Sequence, residues 1–171
     1  LASDDILTLS QQGPLTGDHL IRTKPWPLLI EDPAWSDPAA LREQLRRGVE
    51  AFAARYRRYA ADATDDRPRV VWLPGAGILA WGPSKPEAVF AADIAERTLL
   101  AKRRAQDMGG YQSLSETDLA HMEFRGLQQV KLRGTDPRAL AGKVVVISGA
   151  AGAIGSGIAE VCAEAGACVA L

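Results

Sequence analysis

Apolar residues recur every three or four positions after Asp37, the spacing that lines up side chains along one face of an α-helix. Asp37 can cap this helix, and Pro38 suits its first turn, where the missing N–H costs nothing. The buried stripe is expected to consist of Leu41, Leu45, Val49, Phe52, Tyr56 and Tyr59. For the arginines on the remaining surface, a solvated face is favoured over an anion site.

Short apolar runs bounded by proline and glycine predict three strands in the first half of the chain. The first lies between Pro27 and Ile30. The other two are Val70–Leu73 and Ile78–Trp81, and Pro74–Gly77 is expected to turn one into the other.

Two more helices are predicted after this hairpin. Ser84 and Glu87 have the spacing of a capping box, and the helix that they begin should end at Gly109–Gly110. Its buried side is expected to comprise Phe90, Ile94, Ala101, Ala105 and Met108. The last helix should run from Ser115 to about Lys131. Its apolar side is expected to comprise Leu119, Met122, Leu127 and Val130.

The pattern changes after Arg133–Pro137, which we interpret as an interdomain linker. Val144–Ile147 is a β-branched run typical of a buried parallel strand. Helical spacing follows up to Gly166, and Ala167–Leu171 is a second apolar strand. The order is strand, glycine-rich turn, helix and strand, which is the context that a dinucleotide-binding turn requires.

The turn itself holds the candidate cofactor-binding residues. A pyrophosphate binds at a helix N-terminus because free N–H groups and the helix dipole point at it, and small residues let it approach. The candidates are Ser148, Gly149, Ala151, Gly152, Ala153, Ile154 and Gly155. A merely structural glycine-rich turn is the alternative, and the flanking strands and helix favour dinucleotide binding.

Bulk composition narrows the class of protein. Apolar residues make up 47% and charged residues 24% of the 171 residues, as in an ordinary globular protein. A formal net charge of −1 gives no electrostatic reason to expect nucleic acid or an anionic membrane as a partner. Cys162 and Cys168 are expected to be free thiols, and with no membrane segment or signal peptide we expect a cytoplasmic protein.

From Leu140 onward the chain resembles the opening of a short-chain dehydrogenase/reductase. Ser148, Gly149 and Gly155 fit the family's Thr-Gly-x-x-x-Gly-x-Gly pattern, with Ser for Thr and Ala153 at the middle glycine. The extended branch uses Gly-x-x-Gly-x-x-Gly, which Gly149, Gly152 and Gly155 satisfy. The resemblance implies NAD or NADP as cofactor. The family's Tyr-x-x-x-Lys does not occur in this chain, so no catalytic residue is assigned.

Residues 1–132 resemble the central region of bacterial proteins that join a class II aldolase of the rhamnulose-1-phosphate type to a short-chain dehydrogenase. The matching segments are Asp18–Lys24, Pro74–Gly77 with Gly82, and the helix from Glu116 to Leu132. Gly17 and Phe124-Arg125 depart from the pattern. The resemblance implies retro-aldol cleavage of a ketose 1-phosphate, with a divalent metal such as zinc held outside this chain.

Gly75–Gly82 is similar to the aldolase segment Asn-His-Gly-Leu-x-x-x-Gly, whose histidine is a metal ligand. Ala76 stands at the histidine position and cannot bind a metal, so we predict no metal site here. His121 is expected on a solvated helix face beside Glu116, Asp118 and Glu123. For His19, a structural loop bonded to a backbone carbonyl is favoured over an anion site with Arg22 and Lys24.

The fold is therefore predicted as α/β, with an aldolase-like region at 1–132, a linker at 133–137 and the first β-α-β of a Rossmann domain at 138–171. Leu1 is not Met, and Leu171 lies inside an apolar run, so we interpret the chain as an internal fragment, inactive alone. The parent is expected to be a homo-oligomer that acts on a sugar phosphate or an aldehyde. The alternative is a short-chain dehydrogenase with a non-catalytic, adducin-like N-terminal scaffold.

Overall fold

The computed structural model describes residues 4–61, 63, 65–125 and 138–171, and it describes side chains from residue 7 onward. The part before residue 126 contains helices α1 to α5 and strands β1 to β3. In chain order these are α1 (Asp4–Ser10), α2 (Gly17–Thr23), β1 (Leu28–Leu29), α3 (Pro38–Tyr59), β2 (Val70–Leu73), β3 (Gly77–Ala80), α4 (Lys85–Asp107) and α5 (Glu116–Glu123). The part from residue 138 contains β4 (Val144–Val146), α6 (Ala153–Glu164) and β5 (Cys168–Ala170). The protein is mixed α/β.

Strands β1, β2 and β3 form a small sheet between two helical layers. β1 pairs parallel to β2, and β2 pairs antiparallel to β3, so the predicted hairpin is confirmed. Side chains alternate between the two faces of a strand, and β2 follows this rule. Val70 and Trp72 pack with Leu99 of α4, whereas Leu73 packs with Phe52 and Tyr56 of α3.

Helix α3 begins at the predicted cap. Asp37 Oδ1 accepts hydrogen bonds from the backbone N–H of Ala39 at 2.9 Å and of Ala40 at 3.0 Å. The buried stripe is confirmed in its second half, at Phe52 and Tyr56, but Val49 is exposed. Arg55 also departs from the predicted solvated face, because its guanidinium stacks 3.6 Å from the Trp26 ring centroid.

Helix α4 buries a different face from the predicted one. Phe90 is 51% exposed and Met108 is 87% exposed, so both were wrongly assigned to the core. The buried residues of the helix are Ala91, Ala95, Thr98, Leu99 and Lys102. The small side chains of Ala91 and Ala95 let the first half of the helix lie close to the sheet, which large apolar residues there would prevent.

Helix α5 is shorter than predicted. It has Ser115 as its cap and ends at Glu123, so the helix expected to run from Ser115 to about Lys131 does not continue through Phe124. The predicted apolar residues Leu127 and Val130, and the predicted linker 133–137, lie outside the described residues.

The region from residue 138 has the predicted order of strand, helix and parallel strand. β4 pairs parallel to β5, with Val145 opposite Val169, and α6 begins at Ala153. The expected burial of Val144–Ile147 is confirmed at Ile147 and wrong at Val144 and Val146, which are exposed. On α6, Ile158 and Val161 are exposed as well. The described residues supply one helix and one neighbouring strand, which together leave much of this apolar surface uncovered.

Candidate functional site

The turn between β4 and α6 folds as an open cradle around two glycines. Gly149 has a φ of +75°, a conformation that L side chains rarely adopt. A Cβ on Gly155 would lie 2.3 Å from the carbonyl oxygen of Gly149, so the first turn of α6 packs directly on the loop. The backbone therefore requires glycine at 155, where a side chain has no room, and at 149 it favours glycine through the positive φ.

The N-terminus of α6 is open to a ligand. Gly152 is the N-cap and offers no side chain to the free N–H groups of the first helical turn. Ser148, Ala151, Gly152, Ala153 and Ile154 are all exposed, and only Gly155 is buried. Gly152 N donates to Gly149 O at 3.0 Å, which closes the turn without using these helical donors. The seven candidate residues thus lie on one short loop and helix start.

This arrangement is chemically suited to a phosphate group. Unpaired N–H donors and the positive end of the helix dipole face the same exposed surface, which attracts an anion. Gly149 and Gly152 have no Cβ, so the backbone is accessible from this exposed surface. The space beside Gly149 is open, because a Cβ built there would have no atom within 4 Å. The residues present therefore fit a dinucleotide pyrophosphate.

The segment Asp18–Lys24 does not bring His19, Arg22 and Lys24 together at one anion site. It is mostly helix α2 and not the expected loop, and the His19 ring lies 3.3 Å from the Thr98 hydroxyl instead of a backbone carbonyl. Burial lowers the pKa of His19, and Asp18 partly offsets that effect. Arg22 lies over the Phe90 ring, whereas Lys24 Nζ donates to the backbone carbonyl of Asp65 at 2.6 Å. The two cationic side chains therefore do not point to a common site.

Ala76 lies at the exposed tip of the β2–β3 hairpin. Gly75 and Gly77 on either side have φ of +91° and +108°, which explains the glycines there as turn residues. Among the described residues, no three His, Cys, Asp or Glu side chains are grouped so that they can hold a metal ion. Cys162 and Cys168 are free thiols.

Sequence reasoning missed a buried carboxylate. Glu123, expected on a solvated face with the exposed His121, is only 4% exposed. Its two oxygens accept hydrogen bonds from the hydroxyls of Tyr56 at 2.6 Å and Tyr59 at 2.9 Å. Burial raises the pKa of Glu123, while these two hydroxyls oppose the rise.

The same burial, together with the charge of Glu123, raises the pKa of both tyrosines. Lys24 is next to this group, with its Nζ 3.8 Å from the Tyr56 ring centroid. Burial lowers the pKa of Lys24 to about 8, although Asp65 and Glu123 partly oppose that shift. The sequence gives only a weak indication of this cluster, because its four members lie far apart in the chain, on α3, on α5 and at the end of α2.

The family of the N-terminal region follows from comparison with known proteins. The family model described as "Aldolase class II, second domain" matches residues 1–132. The chain belongs to this family.

A curated relative covers more of the chain than the aldolase family model does. The chain is similar to the uncharacterized oxidoreductase YuxG of Bacillus subtilis (strain 168), with 33% identity over 157 residues. The alignment covers 86% of this chain and 23% of the relative, so the chain spans about a quarter of that protein's length. No solved structure matches the chain. None of the helices in the described part is both long enough and apolar enough to cross a membrane.

Proposed function

We propose that this chain belongs to a bifunctional enzyme in which a class II aldolase is joined to an NAD(P)-dependent short-chain dehydrogenase. Residues 138–171 would form the start of its dinucleotide-binding domain. The observation that carries the proposal is the turn at Gly149–Gly155, where the backbone packs so closely that a Cβ on Gly155 has no room. The oxidoreductase name of the relative supports it, since that alignment extends past residue 132.

In this proposal the chain's own residues bind and orient the cofactor. The N–H groups at the start of α6 would hold the pyrophosphate, and Gly149 and Gly152 would let it approach the backbone. The nicotinamide supplies hydride transfer when it is bound. The residues that transfer protons in the dehydrogenase lie outside this chain.

The aldolase-like region would contribute packing and not metal ligands. Ala76 replaces the presumed histidine ligand and lies on an exposed turn. The aldolase activity of the whole protein, cleavage of a ketose 1-phosphate such as rhamnulose 1-phosphate, would then depend on residues outside the chain. Ala76 equally favours a second candidate function, a dehydrogenase whose aldolase-like region serves only as a scaffold.

The test is a cofactor titration on the full-length protein. NADH and NADPH fluorescence should each be titrated into the wild type, Gly149→Asp and Gly149→Asn. Asp and Asn have almost the same shape and both tolerate a positive φ, so the pair separates charge from size and strain. We expect Gly149→Asp to lose about a hundredfold or more in affinity through repulsion of the pyrophosphate, and Gly149→Asn to lose clearly less.

Equal affinity of wild type and Gly149→Asp would remove this turn from the binding site. A retro-aldol assay on the same proteins, with added zinc and rhamnulose 1-phosphate, separates the two candidate functions. Cleavage that Gly149→Asp leaves unchanged supports the bifunctional enzyme, because distant sites behave independently. Cofactor binding without any cleavage supports the scaffold.

A further inference from the structure

A small cavity of about 40 Å³, partly open to solvent, lies between α1, β2 and α4, and its lining residues are distant in sequence from the glycine-rich turn. Its walls include Gln12, Trp26, Trp72, Thr98 and Lys102. The two indoles and the lysine are each at least 94% buried. The aldolase and dehydrogenase activities proposed above use none of these residues.

Three polar atoms of these wall residues lack partners. Within the described residues, Trp26 Nε1, Trp72 Nε1 and Gln12 Oε1 are buried and make no hydrogen bond. Buried donors of this kind are normally paired with protein, water or a ligand, because leaving them unpaired costs free energy. Two unpaired donors on one cavity therefore indicate an occupant that accepts hydrogen bonds.

The contacts of Lys102 indicate the charge of that occupant. Its Nζ donates to the carbonyls of Leu9 at 3.1 Å and Gln12 at 2.8 Å, and it lies 5.2 Å from the Tyr111 ring centroid. No described carboxylate forms an ion pair with it, and burial lowers its pKa to about 8 with no opposing charge. The contacts of Lys102 are thus all with neutral groups.

The second lysine on the cavity wall provides a contrast. Lys24 also borders the cavity, but the carboxylates of Asp65 and Glu123 are close enough to stabilise its charge. Lys102 has no such carboxylate in the described part of the chain. Of the two lysines on the wall, Lys24 therefore has carboxylates that offset its charge, and Lys102 has none within the described residues.

We propose that this cavity binds a small monovalent anion of the size of chloride or formate. The volume provides room for about three water-sized atoms, which is too little for a sugar phosphate. The donors would be Trp26 Nε1, Trp72 Nε1 and the Lys102 ammonium. The Gln12 amide can rotate to present its NH₂ in place of Oε1, since the two orientations have nearly the same shape.

An anion that binds only the folded state stabilises it, so the test is unfolding at constant ionic strength. Urea unfolding of the full chain, followed by tryptophan fluorescence, is measured in sodium formate, sodium chloride and sodium gluconate. Gluconate is too large for the cavity. We expect formate and chloride to stabilise the wild type relative to gluconate. Above its Kd, each tenfold rise in formate should raise the ratio of folded to unfolded protein about tenfold.

Lys102→Met removes the ammonium and should abolish the difference between formate and gluconate. Arg104→Met is the matched control, because it removes one positive charge from an exposed position of the same helix. It should keep the wild-type response. The same response in Lys102→Met as in the wild type would overturn the proposal, since the anions would then act elsewhere.

Equal stability of the wild type in formate and in gluconate would also overturn the anion proposal. Water would then be the occupant of the cavity. If Lys102→Met fails to fold, Trp72→Phe provides the second variant, because it removes one donor and keeps the lysine. A severalfold weaker response to formate is expected. An unchanged response in Trp72→Phe would contradict the assignment of the indole as a ligand.

Discussion

The hydroxyl of Tyr56 donates a 2.6 Å hydrogen bond to Oε1 of Glu123, which joins helices α3 and α5 across 67 positions of the sequence. Both residues are almost fully buried, at 2% and 4% exposed. A hydrogen bond to a buried charged group contributes more than one between neutral groups. This contact therefore adds to the burial of Leu119 in fixing the position of α5 on the core.

The first prediction is that Tyr56→Phe destabilises the chain by about 1.5–3 kcal/mol at pH 8 and by less at pH 4. At low pH Glu123 is protonated, and the lost hydrogen bond is then an ordinary neutral one. Urea unfolding followed by tryptophan fluorescence suits the measurement, because Trp26 packs edge-on against Tyr59 at 5.2 Å in the same core.

Tyr111→Phe is the matched control, because within the described residues its hydroxyl bonds only to the backbone carbonyls of Gly13 and Pro14. It should lose about 0.5–1.5 kcal/mol with little dependence on pH. A loss in Tyr56→Phe that is the same at pH 4 and pH 8 would mean that Glu123 has the same ionisation state at both pH values, which would contradict the prediction.

The second prediction concerns Glu123 itself. Its folded pKa is raised above the ordinary 4.5, so the folded chain holds a proton that the unfolded chain has released. The stability from this proton is fully present below pH 4.5 and is lost as pH rises through the raised value. Glu123→Gln should therefore flatten the fall in the free energy of unfolding above pH 4.5. An equally steep fall in the variant would assign it to other groups.

The third prediction concerns Lys24, whose folded pKa is about 8 against 10.5 in the unfolded chain. The unfolded chain keeps the proton to higher pH, so the free energy of unfolding should rise between pH 8 and pH 10. The limit is about 1.4 kcal/mol per pH unit for each lysine. Lys102, with a similar pKa, should contribute in parallel. Lys24→Met should thus remove about half of the slope, and an unchanged slope would contradict the lowered pKa.

The elements themselves could largely be predicted from the sequence. Strand β2 and the hairpin turn follow from an apolar run that ends at Pro74–Gly77, and the caps at Asp37 and Ser84 have local signals. The β4–α6–β5 order was predictable for the same reason, since the alternation of apolar runs and glycines is a local pattern. These parts depend on neighbours within a few positions of the chain.

The buried polar residues could not be predicted in this way. Lys102 and Glu123 are charged, so a hydrophobicity pattern assigns them to the surface, yet both are at least 96% buried. Their burial depends on partners such as Leu9 O and Tyr56, which are distant in sequence. The prediction of which face α4 buries was wrong for a related reason. Ala91 and Ala95 are less hydrophobic than Phe90, so a hydrophobicity pattern favours Phe90 as the buried residue.

The last prediction compares two glycines of α6. A Cβ on Gly155 would lie 2.3 Å from Gly149 O and 2.7 Å from the Cα of Ala150, both backbone atoms. Gly155→Ala must therefore push the turn away from the helix, at a cost of about 1–3 kcal/mol. A Cβ on Gly157, two residues later, has nothing within 4 Å. Gly157→Ala should instead stabilise the helix by about 0.5–1 kcal/mol.

Tryptophans are absent from residues 138–171, so hydrogen exchange of peptides covering 144–170 is the appropriate readout. Exchange should speed up in Gly155→Ala and slow down in Gly157→Ala. The two variants change the sequence by the same methyl group in the same helix, so helix propensity alone would shift both in the same direction. Opposite shifts therefore isolate the close packing of α6 on the Gly149 turn, and slower exchange in both variants would contradict that packing. If the turn also binds the cofactor as proposed, only Gly155→Ala should weaken NADH binding in the full-length protein.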